Sequence, residues 1–232
     1  MNTRAPETPP GLARTAGVSF VAPRDGEHGG TWLLANEFGL TICLLNDYGS
    51  AWHPSAAGAR FSRGHVVVAC AGANAHASVY AIVDRQPLRR TPAFHLVALS
   101  PEEGLLVLHW DGTTLARRTR SVRWPILSSS SYATAAIIAK RTACFGAMMR
   151  SPRAPAVEEL ASFHRQHERD GGAHSVLMRR PDAATRSITH VSVRAGVIGL
   201  SYAPVRWVTG EPEVLGPVQV RLRMRRRAPL AA

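Results

Sequence analysis

Lysine is nearly absent: Lys140 is the only one among 28 basic residues in this 232-residue chain, against 16 acidic ones. The formal charge of +12 is therefore carried by arginine, which reads as a coding bias rather than a face selected for phosphate. Clustered cations release counterions from nucleic acid, and arginines do cluster at Arg117 to Arg123 and at Arg221 to Arg227. No zinc-finger spacing, aromatic RNA-binding signature or helix-turn-helix pattern accompanies them, so no specific nucleic-acid partner is expected. Cysteine is scarce as well. Cys43, Cys70 and Cys144 are scattered and odd in number, which excludes a disulfide framework or a paired zinc motif and suits buried thiols in a reducing compartment. No apolar run approaches the roughly 18 residues of a membrane span, and the polar, proline-rich start lacks a signal-peptide core. A soluble, cytoplasmic protein without a transmembrane segment is the expectation.

What is present suits a folded domain. Hydrophobic residues make up 45% and charged residues 19%, values that exclude disorder, collagen and coiled coil for the whole chain. Residues 1–232 are read as a single domain, with 1–17 as an extended arm and 226–232 as a basic tail. Val18 to Ala22 reads as a short strand. Thr31 to Asn36 and Leu40 to Asn46 read as a hairpin whose turn holds Gly39. Ser62 is a candidate N-cap for a helix through Val66 to Cys70, although the Val-Val-Val run fits a buried strand equally well. A helix over Ala75 to Asp84 precedes a hairpin of Phe94 to Ser100 and Leu105 to Trp110. An arginine-rich strand ends near Leu127. The polar turn Ser128 to Ser131 then leads into helices over about Ala133 to Met149 and Pro155 to Asp170. Strands follow at Ser175 to Arg179, Ser187 to Val193, Val197 to Tyr202 and Val218 to Met224. Segregated blocks of strands and helices predict an α+β layered domain with largely antiparallel sheets.

Several short motifs occur in order: Arg24-Asp25, Gly29-Gly30-Thr31-Trp32, the Asn36 and Gly39 turn, Leu44-Leu45-Asn46, Ser62-Arg63-Gly64, Trp124-Pro125, Ser175-Val176 and Arg180-Pro181-Asp182. Together, over roughly Arg4 to Tyr202, they resemble the NRDE, or transport-and-Golgi-organisation, family. The resemblance implies an αββα sandwich of the N-terminal-nucleophile-hydrolase type. It also implies a small-ligand-handling role, with haem, lipid or acyl-CoA as the ligand, and no required cofactor. In that pattern a cysteine follows the initiator methionine, and its own α-amino group serves as general base. Here position 2 is Asn2, no cysteine precedes Cys43, and no Asn-Arg-Asp-Glu string occurs. The expectation is therefore a non-catalytic protein, without a catalytic residue and lacking the first hairpin. The alternative is a cysteine-dependent amidohydrolase acting on a C–N amide bond and truncated by a misplaced start.

The ligand pocket is placed around Trp32, Asn46, Ser62 and Arg63, with Ser129 and Ser130 of the serine run as further contacts. Each has a plainer alternative: core packing for Trp32, turn hydrogen bonding for Asn46, and helix capping for the serines. His164 and His167, three apart on a predicted helix, could together hold a metal or haem iron. His95 and His109 read as ordinary packed or edge residues of strands. Oligomeric state is not legible.

Overall fold

The computed structural model describes residues 7–50, 60–118, 125–149 and 153–225. By backbone contacts the chain divides into two compact units. The larger comprises residues 4–120, 189–202 and 218–232, and the smaller 1–3, 121–188 and 203–217.

Seven strands of the larger unit follow one another in an antiparallel meander. These are β1 (Thr8–Thr15), β2 (Val18–Arg24), β3 (Leu33–Asn36), β4 (Thr41–Asn46), β5 (Phe94–Ser100), β6 (Gly104–Trp110) and β7 (Leu115–Arg118). Helices α1 (Arg63–Ala69) and α2 (His76–Asp84) sit between β4 and β5, so the Val66 to Cys70 run is helical. In the smaller unit come α3 (Thr134–Met148), α4 (Val157–His164), β8 (Arg179–Arg180) and β9 (Ala183–Ala184). Finally β10 (Ser187–Arg194), β11 (Val197–Val208), β12 (Glu211–Val214) and β13 (Val218–Arg223) form a second sheet in which β11 pairs with the other three.

The period of 2 in the strands explains the layering of the larger unit. Leu34, Ile42, Leu96, Leu108 and Trp110 face one way and pack against Val66, Val67 and Cys70 near α1 and Val79 and Val83 of α2. Val21 and Ala35 face the other way, onto Ile198, Leu200, Tyr202 and Leu222 of the second sheet. Helices, sheet and sheet are thus stacked in the order expected of this α+β fold.

In the smaller unit, Ile137 and Phe145 of α3 and Phe163 of α4 are buried, the two rings meeting edge to face at 5.3 Å. Arg141 of α3 ties the surrounding loops. Its Nη1 donates to Ser128 Oγ and its Nη2 to Ala173 O and Ser175 O.

Three sequence expectations are corrected. The supposed arm contains β1, which pairs with β2 along most of its length. Pro9 and Pro10 suggest a break, but β1 is an edge strand with an irregularity between Thr8 and Gly11, where missing N–H groups are tolerated. Helix α4 ends at His164 rather than near Asp170. Residues 175–178 are not a strand: Ser175 Oγ accepts from Glu168 N–H, and Leu177 N–H donates to Gln166 O, folding this segment onto the end of α4. The expected tail 226–232 and part of the arginine-rich strand lie outside the described residues. Among the described residues, no helix is long and apolar enough to cross a membrane.

Two-residue loops close three hairpins with both φ angles positive: Ala16-Gly17 at 47° and 79°, Ala195-Gly196 at 47° and 77°, and Thr209-Gly210 at 47° and 97°. This is the mirror-image turn that matches strand twist, and its first position favours asparagine over alanine. Ala16→Asn and Ala195→Asn are each expected to stabilise the protein by about 0.5–1 kcal/mol. The readout is a higher urea midpoint at unchanged slope.

Candidate functional site

The loop after β2 crosses the start of α1 at two glycines. Asp25 organises the loop: its Oδ1 accepts N–H groups of Glu27 and His28 at 2.9 and 3.3 Å, and its own N–H donates to Gly30 O at 2.8 Å. Gly30 is thereby laid against Gly64. A Cβ on Gly30 would lie 2.7 Å from the Gly64 carbonyl carbon, and one on Gly64 would lie 3.1 Å from Thr31 N. Thr31 N–H donates to Gly64 O at 3.3 Å across the crossing. The Gly-Gly-Thr-Trp and Ser-Arg-Gly motifs are therefore two sides of one close backbone contact.

Beside this crossing opens a cleft of about 440 Å³. Trp32, Leu44, Phe61 and Pro92 give it apolar walls, while Asp25, His28, Asn46, Arg60, Ser62 and Arg63 supply polar groups. Leu44 N–H donates to Trp32 O at 2.9 Å, which fixes the start of β3 against β4. Leu44 and Asn46, two apart on β4, both reach the cleft, as alternation requires. Asn46 Nδ2 donates to the Tyr48 hydroxyl at 2.7 Å, and Arg63 Nη1 donates to Ala93 O at 3.2 Å. Ser62 occupies the N-cap of α1, yet its side chain makes no cap hydrogen bond. Two guanidinium groups against one carboxylate suit an anionic ligand group, and the aromatic walls suit an apolar one.

Four of the sequence candidates, Trp32, Asn46, Ser62 and Arg63, thus come together in one cleft. Ser129 and Ser130 do not line it. They belong to the smaller unit, where the Ser130 hydroxyl donates to Tyr132 O and accepts Tyr132 N–H, closing the turn before α3. The pairing of His164 with His167 fails because α4 stops between them. His164 is exposed at the helix end, whereas one ring nitrogen of His167 meets Leu177 O at 3.0 Å and its ring lies edge-on to Trp207. The sequence reading leaves Asp25, Arg60 and Phe61 unassigned as cleft residues. An aspartate shortly before a glycine pair signals a side-chain-capped turn, and that signal could have placed Asp25.

Burial sets the chemistry of two of the cysteines. It pushes the Cys43 thiol up to about 11 and the Cys70 thiol up to about 12. Both are protonated at neutral pH, and neither is an activated nucleophile.

The layered sandwich of antiparallel sheets is the N-terminal-nucleophile-hydrolase fold. The chain superposes on penicillin V acylase from Agrobacterium tumefaciens with a TM-score of 0.50 and 14% identity, over 90% of this chain and 75% of that one. It superposes on a point variant of conjugated bile acid hydrolase from Clostridium perfringens with a TM-score of 0.52 and 8% identity, over 94% and 86% respectively. No family model matches the sequence, and no curated protein matches it by sequence. These neighbours correct the resemblance to the NRDE, or transport-and-Golgi-organisation, family. The haem, lipid and acyl-CoA handling attached to that family falls with it, as does the non-catalytic reading. Of the motifs that carried the resemblance, Gly-Gly-Thr-Trp, Ser-Arg-Gly and the Asn36 and Gly39 turn have a local account in the glycine crossing and in the buried turn at Asn36.

Proposed function

We propose that the protein is an amidohydrolase of the N-terminal-nucleophile type, acting on the C–N bond of an acyl amide that carries an anionic group. The observation that carries this is the fold, shared along nearly the whole chain with an acylase and a conjugate hydrolase. The cleft supports it independently. The aromatic and proline walls accommodate an acyl group, and Arg60 and Arg63 accommodate a carboxylate. The indole of Trp32, whose backbone is held to β4, and the guanidinium of Arg63, held to Ala93 O, would orient the amide before attack. The reaction requires a leading thiol that attacks the carbonyl and an α-amino group that takes and returns the proton. Cys43 and Cys70 do not meet that requirement.

The test is amine release from an acyl-amide panel that includes penicillin V and a conjugated bile acid. It is run on the chain as it stands and on a form translated from Met-Cys. Release by the cysteine-initiated form, abolished by thiol alkylation, is the expected outcome, and no release from any amide by either form overturns the proposal. In the active form, Arg63→Ala is expected to lower kcat/KM for a carboxylated amide by about tenfold or more, the effect of one charge-assisted hydrogen bond. An uncharged amide should lose less.

A further inference from the structure

Strands β5 and β6 make a tight hairpin whose register sets His95 opposite His109. Their rings stack at 4.3 Å between centroids, 15° from parallel. Asp47 follows directly on β4, and its N–H donates to Ala93 O at 3.1 Å. That contact brings its carboxylate to the same place: Asp47 Oδ2 lies 2.8 Å from His109 Nε2. One donor atom from each of the three residues falls within 4.8 Å of the other two. The side chains of His109 and Asp47 are only 14% and 13% exposed. All three residues belong to the larger unit, and none of them lines the cleft.

We infer that Asp47, His95 and His109 form a binding site for a divalent transition-metal ion of the zinc class. Two imidazoles and one carboxylate are the donor set that such ions prefer, whereas calcium and magnesium require mostly oxygen. Donor atoms around a tetrahedral zinc lie about 3.3–3.6 Å apart, given bonds of about 2.0–2.2 Å. That spacing lies above the 2.8 Å Asp47–His109 contact and below the 4.8 Å within which all three donor atoms fall, so small side-chain rotations close the site. Three protein donors leave a coordination position for water or a ligand.

Surrounding groups orient the donors, as they do around known metal sites. Gly49 N–H donates to Asp47 Oδ1 at 2.8 Å, and Ser50 Oγ donates to Asp47 Oδ2. Arg118 Nη2 approaches His109 Nδ1 at 3.4 Å. Arginine only donates, so Nδ1 accepts and the ring proton resides on Nε2, facing Asp47. Coordination through Nε2 uses that nitrogen's lone pair and moves the proton to Nδ1. The exposed Arg118 then swings away, with no net proton released.

The full chain, without a histidine tag and stripped with chelator, is titrated with Zn²⁺ by calorimetry and with Co²⁺ by visible absorption. One equivalent is expected to bind, with cobalt bands of a nitrogen- and oxygen-ligated ion. His95→Gln and His109→Gln should each weaken binding by about tenfold or more, at least the loss seen on removing an outer-shell partner. His164→Gln should change nothing. X-ray absorption of the zinc-loaded wild-type protein keeps the test open should a variant fail to fold, and scattering from two imidazoles is expected there. No stoichiometric binding, undiminished binding in both histidine variants, or a spectrum with fewer than two imidazoles overturns the inference. Any of these would leave the Asp47–His109 contact as a hydrogen bond that joins β4 to β6.

Discussion

Replacing Asn36 by leucine is expected to destabilise the protein by about 3–5 kcal/mol, because four backbone groups lose their partner in one step. Asn36 is fully buried. Its Nδ2 donates to Ala71 O at 3.0 Å and to Ala73 O at 2.6 Å, and its Oδ1 accepts from Phe38 N–H and Leu40 N–H at 3.1 and 3.3 Å. The carboxamide thus uses both donors and its acceptor, tying the β3–β4 turn to the segment after α1. Leucine fills the volume but leaves two carbonyls and two N–H groups without these bonds. Chemical denaturation reads the loss directly. Asn36→Asp gives a sharper check, because a carboxylate would face two carbonyl oxygens. Its folded-state pKa is raised, so stability should be greatest at low pH and decline as pH rises through that value. A variant as stable as the parent at neutral pH would refute this account.

The second large effect is expected at Gly30. A methyl group there meets the Gly64 backbone at 2.7 and 2.9 Å, and no flexible side chain can yield. Gly30→Ala should destabilise the protein by about 2–3 kcal/mol, the range of an overpacked core. It should also separate Trp32 from Ser62 and Arg63, which sit on opposite sides of the crossing. Gly29 is the control. Its φ of +68° is unusual, but the space around it is open, so Gly29→Asn should be nearly neutral. Comparing ligand affinity and melting temperature across the two variants separates a steric crossing from a general need for glycine. Equal losses at both positions would contradict it.

Much of the architecture was legible because it rests on local pattern. The hairpin of Phe94 to Ser100 and Leu105 to Trp110, the helix near Thr134 to Met148, and the α+β layering follow from apolar alternation and helical periodicity. The edge strand β1 was hidden because prolines signal a break unless one knows that none of the described strands pairs on its outer side. Helix α4 was overextended because a continuing apolar and histidine pattern cannot reveal that Leu177 folds back onto Gln166. Four residues of the cleft, Trp32, Asn46, Ser62 and Arg63, were legible through their motifs, but the reason for the motifs was not. Gly30 and Gly64 are 34 positions apart, and only the fold shows that they touch. The same holds for Asn36, whose two carbonyl partners, Ala71 O and Ala73 O, lie more than 30 residues away. The hairpin read from the sequence, with Pro101 to Gly104 as its turn, sets His95 opposite Trp110; His109 takes that place because Gly104 joins β6 and shortens the turn by one residue. Asp47 joins them only through the β4–β5 register.

The high thiol pKa values of Cys43 and Cys70 have a practical corollary. A disulfide reagent at neutral pH finds almost no thiolate at either position, and derivatisation of Cys70, which is fully buried between sheet and helices, must wait for that core to part. The time course of colour release then becomes a stopwatch for internal breathing. The reagent's own chromophore is the reporter, with Cys43 and Cys144 replaced by serine to silence the other two thiols.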